Sequence, residues 1–506
     1  MRPNIVTILA DDLGYGDPGC NNRSSAIPTP NIDRLAAEGM RFTDAHAGSS
    51  VCTPSRYALL TGRYAWRGRL KSGIVWEWDA PLIEEGRRTV ASLLRDAGYA
   101  TACIGKWHLG WEWTLTDGSR PNDHLAFGEM LRDERRELGT RIDYTARLGG
   151  GPVDRGFDSY FGVDVPNFAP YTWFEDDHLS EVPTVEKPDH LYGHPGLAVE
   201  GWELEPMIPE FTRRAVSYIE ARATSDRPFF LYLPLTSPHS PVVPNEEFRG
   251  RSGAGNYGDF VCEVDWVVGQ VMDALDRAGV AEDTLLIFTS DNGPERRTPD
   301  DIGAWERVRE YGHYSMGDLR GIKRDAWEGG HRIPFVARWP EVTPAGAVCD
   351  ELVSLSDLMA TCAELTGAAL AGAELAPDEG EDSVSFVPML RGAGTTPTRS
   401  FAIHHSAGGV FAVRARVPGR DGDWVLIDSP NPDENEEPDW FGAERGYESH
   451  HEPRELYNLA DDLAERRNLH ASEPEIAREL GRVLDRAKRD SGTRGPSSRP
   501  LNELSE

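Results

Sequence analysis

The chain has 506 residues and a net charge of −31, with 39% hydrophobic and 27% charged residues. The length predicts one large domain and a smaller one. The negative charge argues against nucleic acid and an anionic membrane as partners, because like charges repel. An anionic substrate would therefore need a locally positive site.

The first predicted element is a strand at residues 5–9, an apolar run that leads into Asp11 and Asp12. This run is too short for a membrane span or for the apolar core of a signal peptide. The chain as given is therefore expected to be cytoplasmic, or periplasmic or secreted if a signal was removed, and no membrane partner is expected. The six cysteines have no C-x-x-C spacing, which indicates neither a disulfide scaffold nor a zinc ribbon.

The segment C-T-P-S-R at residues 52–56 is predicted to begin a helix. Proline suits the first helical position and Gly62 would end the helix, so Cys52 would lie at its positive end. A cysteine phosphatase would need an arginine six positions after the cysteine, where this chain has Ala58. The pattern singles out Cys52 and leaves its chemistry open.

Three units of a helix followed by a strand come next. The predicted helices are 89–97, 211–223 and 260–275, and the strands that follow them are 100–104, 229–233 and 284–289. The polar segments after these strands contain, in chain order, Lys106 and His108, then His239, then Asp291 and Asn292. The pattern predicts an α/β fold with a large, mixed, mostly parallel sheet between helices, and with ligands at the carboxyl ends of its strands.

The composition changes after about residue 370. Two loop-rich segments, 368–382 and 392–398, precede strand-like runs at 400–404, 410–413 and 424–427 and a helical tail at 473–489. The predicted domains are a large α/β domain at 1–395 and a small domain of antiparallel sheet plus helix at 396–490. Residues 491–506 are predicted to be a disordered tail.

Two acidic pairs form a candidate metal site. Asp11 and Asp12 follow one predicted strand, and Asp291 and Asn292 follow another. An isolated Asp-Asp pair would merely cap a turn, but two pairs at one sheet edge predict a cation. Because all four ligands are oxygens, calcium or magnesium is favoured over zinc.

Several separated motifs together resemble the sulfatase family, from residue 4 to about residue 469. They are C-x-P-S-R at 52–56, G-K-W-H-L-G at 105–110, D-N-G at 291–293 and the segment 321–334 around Lys323. The resemblance is closest to arylsulfatases and to enzymes acting on sulfated galactosamine. It implies hydrolysis of a carbohydrate or aryl sulfate monoester. It also implies that Cys52 is oxidised to formylglycine by a formylglycine-generating enzyme, and that the nucleophile is the hydrated aldehyde.

The resemblance also assigns roles to the candidate residues. One divalent cation, calcium or alternatively magnesium, would be bound by Asp11, Asp12, Cys52, Asp291 and Asn292. The remaining roles are sulfate binding by Lys106, His239 and Lys323, protonation of the leaving alcohol by His239, breakdown of the intermediate by His108, and orientation of residue 52 by Arg56.

Three alternatives stay open: a phosphate or phosphonate ester hydrolase of the same superfamily, a non-catalytic relative that binds sulfated ligands, and a thiol enzyme with unmodified Cys52. Asn292 favours a sulfate ester, because phosphate-directed relatives typically have histidine there.

Asn167 lies where relatives carry serine or histidine, which leaves one substrate contact unassigned. His404 and His405 are expected at the surface of the small domain. The loops expected to wall the pocket are 111–153, 171–205 and 295–314.

Overall fold

The computed structural model describes residues 2–367, 375–392, 399–417 and 419–494. Its helices are α1 (Pro30–Glu38), α2 (Cys52–Thr61), α3 (Val90–Asp96), α4 (Arg132–Gly139), α5 (Met207–Ala223), α6 (Gly255–Arg277), α7 (Ala304–Tyr311), α8 (Glu328–His331), α9 (Leu358–Thr366), α10 (Val387–Leu390), α11 (Asp439–Arg445) and α12 (Pro474–Arg489). Its strands are β1 (Asn4–Asp11), β2 (Met40–Phe42), β3 (Ala45–His46), β4 (Ala100–Lys106), β5 (Ser159–Val163), β6 (Phe174–Glu175), β7 (His178–Leu179), β8 (Val185–Glu186), β9 (Leu197–Ala198), β10 (Phe229–Pro238), β11 (Thr284–Ser290), β12 (Phe335–Arg338), β13 (Ala347–Cys349), β14 (Val353–Ser354), β15 (Phe401–His405), β16 (Phe411–Ala415), β17 (Trp424–Ile427) and β18 (Glu455–Asn458).

Ten strands form one large sheet in the order β13-β2-β12-β11-β1-β10-β4-β5-β6-β7. The run from β11 to β5 is parallel, whereas β12 and β6 pair antiparallel with their neighbours. Strands β4, β10 and β11 are buried along their whole length, as expected where helices cover both faces of a parallel sheet. The predicted mixed, mostly parallel sheet is confirmed.

Two groups of helices accompany this sheet. Helices α1, α5 and α6 pack side by side, and α2, α3 and α9 form the second group. The predicted helices 89–97, 211–223 and 260–275 are confirmed as α3, α5 and α6. Helices α5 and α6 begin earlier than predicted because Met207, Ile208 and Tyr257 are also buried.

The small domain is a four-stranded antiparallel sheet in the order β15-β16-β17-β18. Apolar residues of α12, including Leu480 and Leu484, pack against one set of its side chains. Ala326 and Trp327, which precede α8, pack against a second set that includes Val425 and Tyr457. The signature segment around Lys323 is therefore anchored on the small domain.

Several predictions concern segments that are described only in part. The domain boundary near residue 395 and the loop residues 368–374 lie outside the described residues, so the domain limits stay predictions. Of the predicted tail 491–506, the structure describes 491–494, and there Thr493 donates to Asp382 at 3.0 Å. All six cysteines are free. Among the described residues, no helix combines the length and the hydropathy needed to cross a bilayer.

Candidate active site

The carboxyl ends of three neighbouring parallel strands bring the two acidic pairs together. Ala10 of β1 is in register with Ser290 of β11, and Asp11 is in register with Pro238 of β10. The residues that follow these strands, including Asp12 and His239, therefore meet at one edge of the sheet. Asp12 has a left-handed backbone (φ 65°), which is unfavourable for a residue other than glycine. Strain of this kind concentrates at functional sites.

We call Asp11, Asp12, Cys52, Asp291 and Asn292 the pocket cluster. All five residues are almost completely buried. Potential ligand atoms of Asp11, Asp12, Cys52 and His239 all lie within 4.8 Å of one another. Oδ1 of Asn292 is buried without a hydrogen-bond partner, and Oδ1 of Asp11 accepts no hydrogen bond although Arg56 lies 3.3 Å from it. Because unpaired buried oxygens are costly, this set of hard oxygen donors fits a divalent cation.

Three cationic side chains hold the carboxylates of the pocket cluster. Lys106 Nζ lies 2.6 Å from Asp11, Lys323 Nζ lies 2.7 Å from Asp12, and the Arg56 guanidinium lies 2.7 Å from Asp291. Burial would raise the pKa of Asp11, but Lys106 and other cations hold it well below its usual range. Burial and the neighbouring Asp11 carboxylate raise the pKa of Asp291. Negative charge is thus still crowded at Asp291, which favours one more cation.

Cys52 is the first residue of α2, and Gly62 ends that helix in a left-handed conformation (φ 65°). Pro54 is the third helical residue, not the first as predicted. Burial raises the pKa of the Cys52 thiol to about 12, and Lys106 and Lys323 only partly oppose this. An unmodified thiol at this position would therefore stay protonated at neutral pH.

The two site histidines have opposite hydrogen-bonding patterns. His108 Nε2 lies 3.0 Å from the Val75 carbonyl oxygen, so this nitrogen carries the proton and the unpartnered Nδ1 is an acceptor. His239 Nδ1 lies 2.5 Å from the Ser240 carbonyl oxygen, which leaves Nε2 to gain and lose a proton 3.8 Å from Asp12. Burial lowers the pKa of both imidazoles, strongly for His108.

A cavity of about 290 Å³ adjoins the pocket cluster. Cys52, His108, His239 and Lys323 line it, whereas Arg56, Lys106 and Asp291 lie behind that wall. The three loops predicted to wall the pocket all contribute, and so does the segment around Trp76, for which the sequence offered no signal. Other lining residues that were not singled out are Arg132, Phe168, Tyr192, His194, Glu295, Thr298 and Arg324.

Asn167, the predicted departure from the family pattern, also lines this cavity. Its Oδ1 atom is buried without a hydrogen-bond partner, and its carbonyl oxygen accepts from His194 at 2.8 Å. Asn167 is thus in reach of a substrate in the cavity, where its side chain has a free polar atom.

A second buried cluster, the interface cluster, connects β3 and α8 to strands β15 and β16 of the four-stranded sheet. Its members are Asp44, His46, Glu328, His331, His404 and Arg414. The Arg414 guanidinium donates to Asp44 and also to Glu328, at 3.0 Å. His46 Nδ1 lies 3.1 Å from His331 Nδ1, and His404 stacks on His331 with ring centroids 3.9 Å apart.

The prediction that His404 and His405 lie at the surface is wrong. Their exposed fractions are 1% and 3%, because β15 packs against the segment that precedes Cys52. The His405 carbonyl oxygen accepts hydrogen bonds from Ser49 Oγ (2.7 Å) and from Ser50 N (3.0 Å). Neither imidazole lines the catalytic cavity. These histidines support the nucleophile segment from behind.

Comparison with known proteins gives one consistent answer. The family described as Sulfatase matches residues 3–368. The chain is 33% identical to an N-acetylgalactosamine-6-O-sulfatase of Bacteroides thetaiotaomicron, over 96% of this chain and 93% of that protein. It is 34% identical to human arylsulfatase A, over 98% and 90% of the two chains. A solved structure described with the metabolism of multiple glycosaminoglycans by Bacteroides thetaiotaomicron superimposes with a TM-score of 0.77 at 29% identity, covering 97% of this chain and all of that one.

Proposed function

The chain belongs to the sulfatase family, and we propose that it hydrolyses the sulfate monoester of a saccharide in the cavity beside Cys52. The observation that carries the proposal is the position of Cys52 at the start of α2, facing a buried set of oxygen donors and two lysines. The saccharide preference rests on the Bacteroides relative, whose name specifies N-acetylgalactosamine 6-sulfate, and on the polar side chains that line the cavity.

Asp11, Asp12, Asp291 and Asn292, together with residue 52, would hold one divalent cation. Calcium suits this set better than magnesium, because three carboxylates and an amide form a nearly complete protein cage, whereas magnesium usually keeps several waters. When bound, the cation supplies positive charge that stabilises the developing charge on the sulfuryl oxygens.

Residue 52 would act as formylglycine and not as a thiol. The raised pKa of Cys52 disfavours a thiolate nucleophile. As in its family, a formylglycine-generating enzyme would oxidise the side chain to an aldehyde. One hydroxyl of the aldehyde hydrate then attacks sulfur. The second hydroxyl allows the intermediate to collapse back to the aldehyde with release of sulfate.

The surrounding side chains would divide the proton and charge transfers. Lys323, on the cavity wall, would hold the sulfuryl oxygens, and Lys106, which is buried behind it against Asp11, would add positive charge to the site. His239, protonated at Nε2, donates to the leaving alcohol, and His108, with its free Nδ1, accepts the proton of the remaining hydroxyl. Arg56 fixes Asp291 below residue 52.

Turnover of matched nitrophenyl sulfate and nitrophenyl phosphate tests this proposal. Mass spectrometry of the peptide that contains residue 52 accompanies the assay, since conversion to the aldehyde lowers the mass by about 18 Da. We expect the sulfate ester to be strongly preferred by the oxidised protein. A strong preference for the phosphate ester would show that the interpretation of Asn292 is wrong.

A further inference from the structure

We propose that Trp76, Glu77, Phe168 and His194 form a subsite, the hydroxyl subsite, that binds a neutral hydroxyl of the sugar ring carrying the sulfate. The inference rests on the proposed function, because it concerns the same cavity. It adds a specificity-determining residue, His194, and a positioning residue, Glu77.

Three aromatic side chains build one wall of the cavity. The rings of Trp76, Phe168 and His194 are nearly parallel, at mutual angles of 13° to 25° and centroid distances of 4.8 to 5.9 Å. All three residues line the cavity. Phe168 also meets the His108 ring edge to face at 5.8 Å, which links this wall to the catalytic residues. Because the three rings stack on one another, they form a rigid apolar wall against which the C–H groups of a sugar ring can pack.

Glu77 fixes the orientation of the His194 ring. Its Oε1 lies 2.5 Å from His194 Nδ1, and its side chain is only 5% exposed. On the backbone, His194 N donates to the Asn167 carbonyl oxygen and Glu77 O accepts from Arg135. Because a buried carboxylate needs a hydrogen-bond donor, the shared proton resides on Nδ1.

This tautomer decides which group of the substrate the subsite can bind. In the tautomer with the proton on Nδ1, Nε2 is an acceptor, and no other described residue pairs with it. A sugar hydroxyl can donate to that nitrogen, whereas a carboxylate or a second sulfate has no proton to give. The Glu77 carboxylate at the Nδ1 edge of the ring opposes an anion at Nε2, although Arg132 lines the same cavity. The subsite therefore selects a neutral hydroxyl close to the sulfate ester.

The test compares two substrates of the oxidised protein: a 6-sulfated N-acetylhexosamine and nitrophenyl sulfate. The aryl ester presents the same sulfate but no sugar hydroxyls. For His194→Ala we expect the ratio of kcat/KM for the sugar to kcat/KM for the aryl ester to fall about 10- to 100-fold, the range for a lost hydrogen bond to a buried site. For Glu77→Gln, which still accepts from Nδ1, we expect a smaller fall, expressed mainly in KM for the sugar.

His178→Ala is the matched control, because His178 Nδ1 also lies 2.5 Å from a carboxylate, that of Asp177, but its side chain is 60% exposed. This variant should leave the ratio unchanged. If His194→Ala lowers both kcat/KM values equally, His194 has a purely structural role. If it lowers neither value, His194 has no role in the reaction. The ratio is unchanged in both cases, and either result would overturn the proposal.

Deoxy analogues of the sugar sulfate test the same point on the unaltered protein, independently of variant folding. For the analogue that lacks the bound hydroxyl, kcat/KM should be low with the unaltered protein. The His194→Ala substitution should lower that kcat/KM only a little further. If no deoxy analogue loses rate, the subsite binds no hydroxyl. If the oxidised protein hydrolyses neither sulfate ester, it is the proposed function that fails, which is a distinct result.

Discussion

The pocket cluster and the interface cluster contain similar residues but are built for different tasks. Both are buried sets of acids with ring or sulfur ligands close enough to hold an ion. In the interface cluster, however, the Arg414 guanidinium already lies against Asp44 and Glu328. His331 and His404 stack on each other, with an interplanar angle of 6° and ring centroids 3.9 Å apart.

The pocket cluster differs because it adjoins a cavity. Both clusters leave buried oxygens without a hydrogen-bond partner, namely Oδ1 of Asp11 and of Asn292 in the pocket cluster and Oε1 of Glu328 in the interface cluster. Of the two lysines beside the pocket cluster, Lys323 lines the cavity and Lys106 lies behind the cavity wall. Residue types and proximity therefore do not by themselves identify a metal site. Buried positive charge is present in both clusters, and what separates them is that Cys52 opens onto the cavity, whereas no member of the interface cluster lines it.

The largest expected effect is loss of the nucleophile. Replacing Cys52 with Ala should lower kcat for nitrophenyl sulfate by about 10⁴-fold or more, because the attacking group is removed entirely. Cys262→Ala is the matched control, since Cys262 is also a buried free cysteine but lies in α6 and lines no part of the catalytic cavity. Retention of substantial activity by the Cys52 variant would refute the nucleophile assignment.

Cation removal should distinguish the two clusters directly. Chelator treatment is expected to lower activity by about 10³-fold, several kcal/mol of transition-state stabilisation, and added calcium should restore it. Calorimetric titration with calcium should find one site, which Asp291→Asn weakens and Glu328→Gln leaves intact. A second equivalent of metal, zinc above all, that disappears in His404→Ala would show that the interface cluster also binds an ion.

Arg414→Met should destabilise the fold without touching the cavity. The substitution leaves Asp44 and Glu328 buried without their main cation, and a broken buried ion pair typically costs about 3–5 kcal/mol of unfolding free energy. Arg416→Met is the control, because Arg416 pairs with Glu351 at 3.1 Å but its side chain is 48% exposed. Denaturant unfolding should show at most about 1 kcal/mol for that variant. If the two variants lose equal amounts of unfolding free energy, the buried Arg414 contributes no more to stability than the half-exposed Arg416.

The smallest effect is the acid sensitivity of the interface cluster. Burial lowers the pKa of His331 from 6.5 to about 3, despite the opposing charge of Glu328. The unfolded chain therefore binds a proton first, so stability contributed by neutral His331 is complete above about pH 6.5 and declines as the pH falls toward 3.

One such histidine contributes at most about 1.4 kcal/mol per pH unit within that window. His331→Asn should reduce the slope of unfolding free energy against pH between 6.5 and 5.5 by up to that amount. The exposed His178→Asn variant should leave the slope unchanged. An identical slope for the His331 variant would show that this imidazole is not held neutral.

Much of the catalytic edge could be predicted because its signals are local. An apolar run followed by polar residues identifies a strand and the groups at its carboxyl end. The chain has such runs before Asp11 and Asp12, before Lys106 and His108, and before Asp291 and Asn292. Parallel neighbours then bring those ends together. The contact of Glu77 with His194 spans 117 residues, and that of Arg414 with Asp44 spans 370. No local pattern indicates such pairs, and for the same reason the surface position predicted for His404 is wrong.

The sequence by itself determined the order of the chemical groups, the helices and strands that carry them, and the family. The tertiary structure decided which nitrogen of His108, His239 and His194 carries a proton, which cations pair with each buried carboxylate, and which acidic cluster adjoins the cavity. These properties depend on burial and on charges within a few ångströms, and such neighbours come from distant parts of the chain.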